Sequence, residues 1–397
     1  MMLRLAFLAP EFIPAWGGVG AYSEELVRSL SKRGDIEIHV LTPSRGAQFD
    51  PKAVEANFGG RIKVHAISKA SDTFFYNFHF QRAVLRELPR LHKLHSFDLI
   101  HSANLVQMPD IFQKLFRRLD IPTVCTIHST IQSQVRASLD SSKKLWKMGP
   151  SEYLSLMLYP VISTLQSAYV RRTTRFITVS RKMAISLEKQ LGVHPITPVH
   201  NGVDLDLFRK HKGGFPDVSA AAGKRPVILY SGRLVSQKGL SLFVRLMEEL
   251  DAFFVIAGSG EPDVILRQLR NIPIEKYMFL GHVDRKELPG LYGTSDIFVL
   301  PSYSENLPMS ILESMAMGCS VVSTDVGAVD EMVEHGKTGL LCRPGDYTGL
   351  KHEVASLIED PRKRKSLAEA ALKKVRKEFN SDRMADKTLD VYKEVIR

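Results

Sequence analysis

The sequence predicts an α/β protein made of two doubly wound, parallel-sheet domains, and three observations point there. A chain of 397 residues exceeds one ordinary core and suits two domains of about 200 residues each. Strand-like apolar runs alternate with amphipathic, helix-like runs, which is the βαβ rhythm of a parallel sheet covered by helices. That rhythm halts at a stretch rich in small and breaking residues, 213–226, and then begins again.

In the first half, LRLAFLA (3–9) is an apolar strand, AYSEELVRSLSKRG (21–34) an amphipathic helix, and EIHVLT (37–42) the next strand. DLIHSA (98–103), PTVCTIHS (122–129) and RFITVS (175–180) continue the sheet, with longer amphipathic stretches between. After the linker-like GGFPDVSAAAGKRP, the strands are VILYSG (227–232), FFVIAGSG (253–260), YMFLG (277–281), DIFVLPS (296–302) and SVVSTD (320–325). The domains divide as 1–203 and 204–379, with 380–397 as a closing helix and the junction near 202–225.

Composition narrows the class. Hydrophobic residues at 44% and charged residues at 24% are ordinary for a globular protein. The opening MMLRLAFLAPEF has too short an apolar run, ended by Pro10-Glu11, for a secretory signal. YLSLMLYPVISTL (153–165) is too short to span a bilayer and contains a proline. Cys125, Cys319 and Cys342 are odd in number and far apart, with neither zinc spacing nor a disulfide framework, so a reducing, cytoplasmic setting is expected. A formal net charge of +11 calls for an anionic partner. No zinc, RNP-like or helix-turn-helix signature accompanies it, so a specific nucleic-acid binder is not expected.

Open parallel sheets bind ligands beyond the C-terminal ends of their strands, so the residues just after each strand are the candidates. In PSYSENLPMSILESMAMG (301–318), Pro308 fits the first turn of a helix, with Ser304 or Asn306 as its cap. Free N–H groups near Asn306 and Leu307 would then face an anion. Glu305 stands at the mouth, where a carboxylate orients sugar hydroxyls, and Glu313 lies further in, where one takes a ribose diol. Alternatively, Glu305 complements the helix dipole and Glu313 sits on a solvated face. In YSGRLVSQKG, Arg233 and Lys238 suit a diphosphate, one as a bidentate fork and one as a point charge, or are two exposed loop charges.

Gly258 and Gly260 follow another strand without the third glycine of a dinucleotide fingerprint, and a tight turn alone accounts for them. Gly17, Gly18 and Gly20 let backbone amides approach a phosphate or sugar, though the lysine of a P-loop is missing. His128 ends a strand and is the stronger histidine candidate, His101 the weaker. Asp204-Leu205-Asp206 spells a metal-binding pattern of other sugar-transferring folds, but at the domain junction it reads as turn chemistry.

Taken together, GGVGAYSEEL, VHNGVDLDLF, YSGRLVSQKG, VIAGSGEP, FLGHVDRKELPGLYGTSDIFVLPSYSENLPMSILESMAMG and GAVDEMVEHGKTGLLCRPGD resemble the family-four retaining glycosyltransferases, in order and over nearly the whole chain. The closing FNSDRMADKTLDVYKEVI resembles that family's last helices, the final one crossing back to the first domain. The resemblance implies the GT-B fold, with two Rossmann-like domains facing a central cleft that closes to assemble the site. It implies an acceptor site on the first domain and a nucleotide-sugar donor on the second. It makes Glu305 and His128 the candidate catalytic residues, meeting the donor sugar from two sides. It assigns donor binding to Gly17, Gly18, Arg233, Lys238, Gly258, Asn306, Leu307, Pro308 and Glu313. No cofactor or obligatory metal is implied, because cations and helix amides stabilise the leaving diphosphate. Retention implies same-face attack by a hydroxyl acceptor, without a double-displacement nucleophile.

Asn306 stands where the family often has glycine, which opens the donor sugar's identity. Ser320 and Asp330 stand where prolines are common. An epimerase-like or non-catalytic sensor on the same fold is the alternative function. The acceptor is a glycan, a lipid-linked molecule or a small molecule. Arg82, Arg86 and Arg90 fall at successive turns of one helix after a run of aromatics, and basic ends flank an apolar middle in 143–175. Both suit an anionic membrane surface or, equally, core helices with solvated basic edges.

Overall fold

The computed structural model describes residues 2–13, 17–46, 49–70, 76–104, 119–129, 156–160, 164, 173–192, 196–209, 214–260 and 262–396. Two compact units result. One holds the described residues up to Gly202 together with Ser381–Ile396, and the other holds Val203–Asn380.

The first unit is a seven-stranded parallel sheet. Its strands are β1 (Leu3–Leu8), β2 (Ile36–Ser44), β3 (Ile62–Lys69), β4 (Leu99–Ser102), β5 (Thr123–Ile127), β6 (Arg175–Thr178) and β7 (Ile196–Pro198), in the order β3-β2-β1-β4-β5-β6-β7. Strand order reverses between β1 and β4, which is the switch point of a doubly wound sheet. Successive side chains alternate between faces. Leu5 and Phe7 therefore enter one core and Ala6 and Leu8 the other, and β1 is apolar at every position from Leu5 onward because both faces are covered. Helices α1 (Gly18–Ser31), α2 (Pro51–Ala56), α3 (Tyr76–His95) and α4 (Arg181–Leu191) complete the described part. Asp50 and Ser180 cap α2 and α4 through backbone N–H groups. β3 and β7, absent from the sequence reading, are short or half-polar strands at the two edges of the sheet.

The second unit is a six-stranded parallel sheet of β8 (Val227–Ser231), β9 (Phe253–Ala257), β10 (Tyr277–Gly281), β11 (Ile297–Leu300), β12 (Ser320–Thr324) and β13 (Leu340–Cys342), in the order β10-β9-β8-β11-β12-β13. The reversal lies between β8 and β11. Its helices are α5 (Pro216–Ala222), α6 (Leu240–Glu249), α7 (Pro262–Leu269), α8 (Leu288–Thr294), α9 (Met309–Met317), α10 (Val329–Met332), α11 (Tyr347–Glu359) and α12 (Pro361–Glu378). The stretch that reads as a linker thus contains α5. Pro216 fits its first turn, and Val218 and Ala222 are buried, which holds it to this unit. Cys125, Cys319 and Cys342 are free and buried.

The last helix, α13 (Ser381–Ile396), packs against α1 and completes the core of the first unit with Met384, Ala385, Leu389, Val391 and Tyr392. Ion pairs from Arg33 to Asp386 and from Arg175 to Glu394, both 2.7 Å, flank it.

Candidate active site

In the second unit, the loops following β8, β9, β11 and β12 are joined beyond the strand ends. Leu234 N–H donates to the Ser259 carbonyl at 2.8 Å, which ties the β8 loop to the β9 loop. A Cβ on Gly258 would stand 1.8 Å from the Gly232 carbonyl oxygen, and its φ is +146°, so this close approach demands glycine. Tyr303 N–H donates to the Gln237 carbonyl at 2.8 Å, which ties the β11 loop to the turn carrying Lys238. Behind it, Ala328 N–H donates to the Asn306 carbonyl at 3.1 Å. Gly327, at φ +60°, approaches so closely that a Cβ would meet the Glu305 carbonyl oxygen at 1.9 Å.

This lacing positions Glu305. Its side chain is 6% exposed, and Oε1 accepts from Lys238 Nζ at 2.5 Å and from Ser302 Oγ at 2.7 Å. Neither of those bonds uses Oε2. Lys238 is therefore a partner of the carboxylate and not a loose loop charge, whereas Arg233 is exposed. Buried Tyr230 donates to the Arg233 carbonyl at 3.2 Å. Burial raises its phenol well above the usual range, the Glu305 charge raises it further, and Arg233 opposes them.

Pro308 is the N-cap of α9 and not its first helical residue. Its φ of −68° suits either position, but its ψ of 127° is extended. The cap makes no side-chain hydrogen bond, so neither Ser304 nor Asn306 occupies that place. The first unbonded helix amides accordingly begin at Met309, beyond Asn306 and Leu307. Leu307 is buried.

Glu313 lies within α9 and is 4% exposed, which excludes the solvated face. Arg285 Nη1 donates to its Oε1 and the Tyr292 hydroxyl to its Oε2, each at 3.1 Å. Both carboxylate oxygens are thereby satisfied, as a buried charge requires. Burial and then the Glu313 charge hold the Tyr292 phenol far above its ordinary range. Arg285 also stands 5.5 Å over the Phe208 ring. Arg285, Tyr292 and Ser302 were missed in the sequence. Each is an ordinary polar residue in a loop or short helix, and only the folded contact reveals its partner.

In the first unit, Gly17 is the N-cap of α1 at φ +89°, and a Cβ there would meet Glu11 Oε2 at 2.8 Å. Gly20 N–H donates to the same oxygen at 3.3 Å, so the Glu11 carboxylate sits at the start of the helix. A Cβ on Gly18 would meet nothing within 4 Å. His128 follows β5 and meets the Tyr22 ring edge-on at 4.4 Å. Burial pushes its pKa down to about 4 against an opposing hydrogen bond to the Ala103 backbone, so the ring is neutral at pH 7. His101 is wholly buried, with Nδ1 at 2.5 Å from the Tyr392 hydroxyl and Nε2 at 2.8 Å from Thr126 Oγ1, a structural placement. Asp204 Oδ1 accepts from the N–H groups of Asp206 at 2.8 Å and Leu207 at 3.2 Å, which is turn chemistry.

Two family models match this chain. One, described as glycosyl transferases group 1, covers residues 214–374, and the other, glycosyltransferase family 4, covers residues 16–207. The chain belongs to the family-four, group-1 glycosyltransferases. Among its glycosyltransferase relatives, the glycogen synthase of Mycobacterium tuberculosis (strain CDC 1551 / Oshkosh) is 27% identical over 98% of this chain and 94% of that protein. The sucrose-phosphate synthase structure from Thermosynechococcus elongatus matches 99% of this chain and 98% of its own with a TM-score of 0.80 at 18% identity. Anabaena HepE in complex with UDP-glucose matches 99% of this chain and all of its own, at a TM-score of 0.74 and 20% identity. The fold of this glycosyltransferase is therefore GT-B, built from the two parallel-sheet units described above.

Proposed function

We propose that this glycosyltransferase moves a hexose or N-acetylhexosamine, with retention and without an obligatory metal, from a nucleotide-diphosphate sugar to a hydroxyl acceptor. The observation that carries the proposal is the junction of strand-end loops in the second unit, which joins Lys238, Ser302 and Glu305 in one network just before α9, whose N-cap Pro308 makes no side-chain hydrogen bond. That network offers a cation and helix amides for a diphosphate and a carboxylate for sugar hydroxyls. Exposed Arg233 adds a second cation from the β8 loop. Glu313 takes the ribose, and Arg285 and Tyr292 hold its carboxylate in place.

UDP-glucose in the HepE structure supports a nucleotide-sugar donor. The cation and the amides do for the leaving diphosphate what a divalent ion does elsewhere. In the first unit, Gly17 and Gly18 offer backbone amides to the donor, and neutral His128 offers a hydrogen bond to a sugar hydroxyl. The acceptor is a glycan, a lipid-linked molecule or a small molecule, and the enzyme works in the cytoplasm.

Thermal stabilisation by UDP, GDP, ADP and dTDP and their hexose conjugates, with and without EDTA, tests the proposal. A selective rise in Tm that EDTA leaves intact and Glu313→Ala abolishes supports it. No rise with any of them overturns it.

A further inference from the structure

The first unit contains a cluster of imidazoles that the transfer reaction does not use. By the period of two, Glu37, His39 and Leu41 share one face of β2, and Leu41 belongs to the core beneath α3. The parallel register pairs Leu41 with His65 on the edge strand β3. His95 is the last residue of α3, which runs back from the end of β3 to the start of β4. One ring nitrogen from each of His39, His65 and His95 lies within 4.8 Å of the others. The cluster thus sits toward the N-terminal edge of the sheet, away from the strand ends that carry His128.

The hydrogen bonds point the same way. His39 Nε2 lies 3.1 Å from Glu37 Oε1, and its Nδ1 lies 3.0 Å from His65 Nε2. A carboxylate that accepts from one nitrogen of an imidazole fixes the tautomer and aims the other nitrogen's lone pair, the arrangement that orients metal-bound histidines. His39 is buried. His92 is close in sequence, but its Nδ1 accepts from Phe97 N–H at 3.1 Å and serves the turn after α3.

We propose that His39, His65 and His95 bind one divalent transition-metal ion of the zinc class, with water or an external anion in the fourth position. Three imidazoles around such an ion stand about 3.3 Å apart at metal–nitrogen distances of about 2.0–2.1 Å. His39 Nδ1 and His65 Nε2 are 3.0 Å apart and the set lies within 4.8 Å, so side-chain rotations are what the site needs to reach that value. On binding, the ion replaces the proton between His39 Nδ1 and His65 Nε2, and His65 carries its proton on Nδ1 instead. The charges of Lys63 and Arg90 act on His65 and oppose a cation, which weakens the site. The ion would fasten the edge strand β3 to β2 and to the end of α3. It is separate from the donor network, so its removal lowers stability and leaves nucleotide binding unchanged.

The test uses full-length, tag-free, chelator-stripped protein titrated with Zn²⁺ by calorimetry and with Co²⁺ by visible absorption. One ion per chain, tetrahedral Co²⁺ bands and a Zn²⁺-dependent rise in Tm are expected. Because buried His39 also serves the core, the informative variants are His95→Asn and His65→Gln, each losing tenfold or more in affinity. Glu37→Gln weakens binding by about 10-fold to 100-fold without changing the stoichiometry. No saturable binding, or unchanged binding in both histidine variants, overturns the proposal.

Discussion

Glu305 shows how a buried side chain is held by its neighbours. Lys238 and Ser302 share its Oε1, which pairs a 6%-exposed carboxylate and leaves Oε2 outside those two bonds. Glu305→Gln is expected to lower kcat by about 100-fold or more with little change in donor KM, because it removes charge where the transition state develops it. Steady-state kinetics over a donor series check it. The imidazoles set the acid limit. His128 has a folded pKa of about 4 and His101 of about 3, both lowered mainly by burial from 6.5. The unfolded chain therefore binds more protons than the folded one below about pH 6.5. Stability is fully present above that pH and falls as pH drops toward about 4. Thermal melts across this window check it, and a Tm that stays flat contradicts it. At this scale the sequence was uneven. The strand-end positions of Glu305, Lys238 and His128 were legible from the βαβ rhythm. The partners Arg285 and Tyr292, and the grouping of His39, His65 and His95, were not, because residues far apart in sequence meet only through strand register and helix ends.

The strand-end loops act as one element because backbone touches backbone. Gly327→Ala would place a Cβ 1.9 Å from the Glu305 carbonyl at a positive φ. It is expected to cost about 1–3 kcal/mol or more and to disturb donor binding, read by thermal melting and nucleotide titration. Gly18→Ala meets nothing within 4 Å, so it should fold with unchanged Tm. The donor-binding role proposed for Gly18 predicts a raised donor KM in the same variant, which separates a binding role from a folding one. Elements were legible where both faces are buried, because β9 and β11 and the greater part of β1 and β8 read as apolar runs. Edge strands β3, β7 and β13 escaped because half-exposed or very short strands carry little pattern. The helix α5 escaped because its glycine and proline neighbours read as a linker, and α9 begins after Pro308 because ψ, which sequence does not fix, is extended there.

Across the whole molecule, α3 carries part of the net charge of +11. On α3, Phe80, Val84, Leu88 and Leu91 are buried, while Phe78, Arg82, Arg86, Arg90 and Lys93 form an exposed stripe. Among the described residues no helix is long and apolar enough to cross a membrane. The basic and aromatic stripe suits adsorption to an anionic surface, which fits a lipid-linked acceptor. Most of the second basic and apolar stretch, 143–175, lies outside the described residues. Flotation with anionic vesicles at low salt should carry the protein upward, and Arg82→Glu with Arg86→Glu should leave it at the bottom. An unchanged flotation of that pair removes α3 as the contact. The closing helix has a consequence for how the enzyme is born. Among the described residues the second unit lies within Val203–Asn380, but the first lacks part of its core until Met384, Leu389 and Tyr392 arrive. During translation the second unit therefore has all its parts before the first does, the reverse of the usual N-terminal-first order. A nascent chain stalled just before Ser381, with the second unit clear of the ribosome, should resist protease across 203–380 while the earlier residues are still cut.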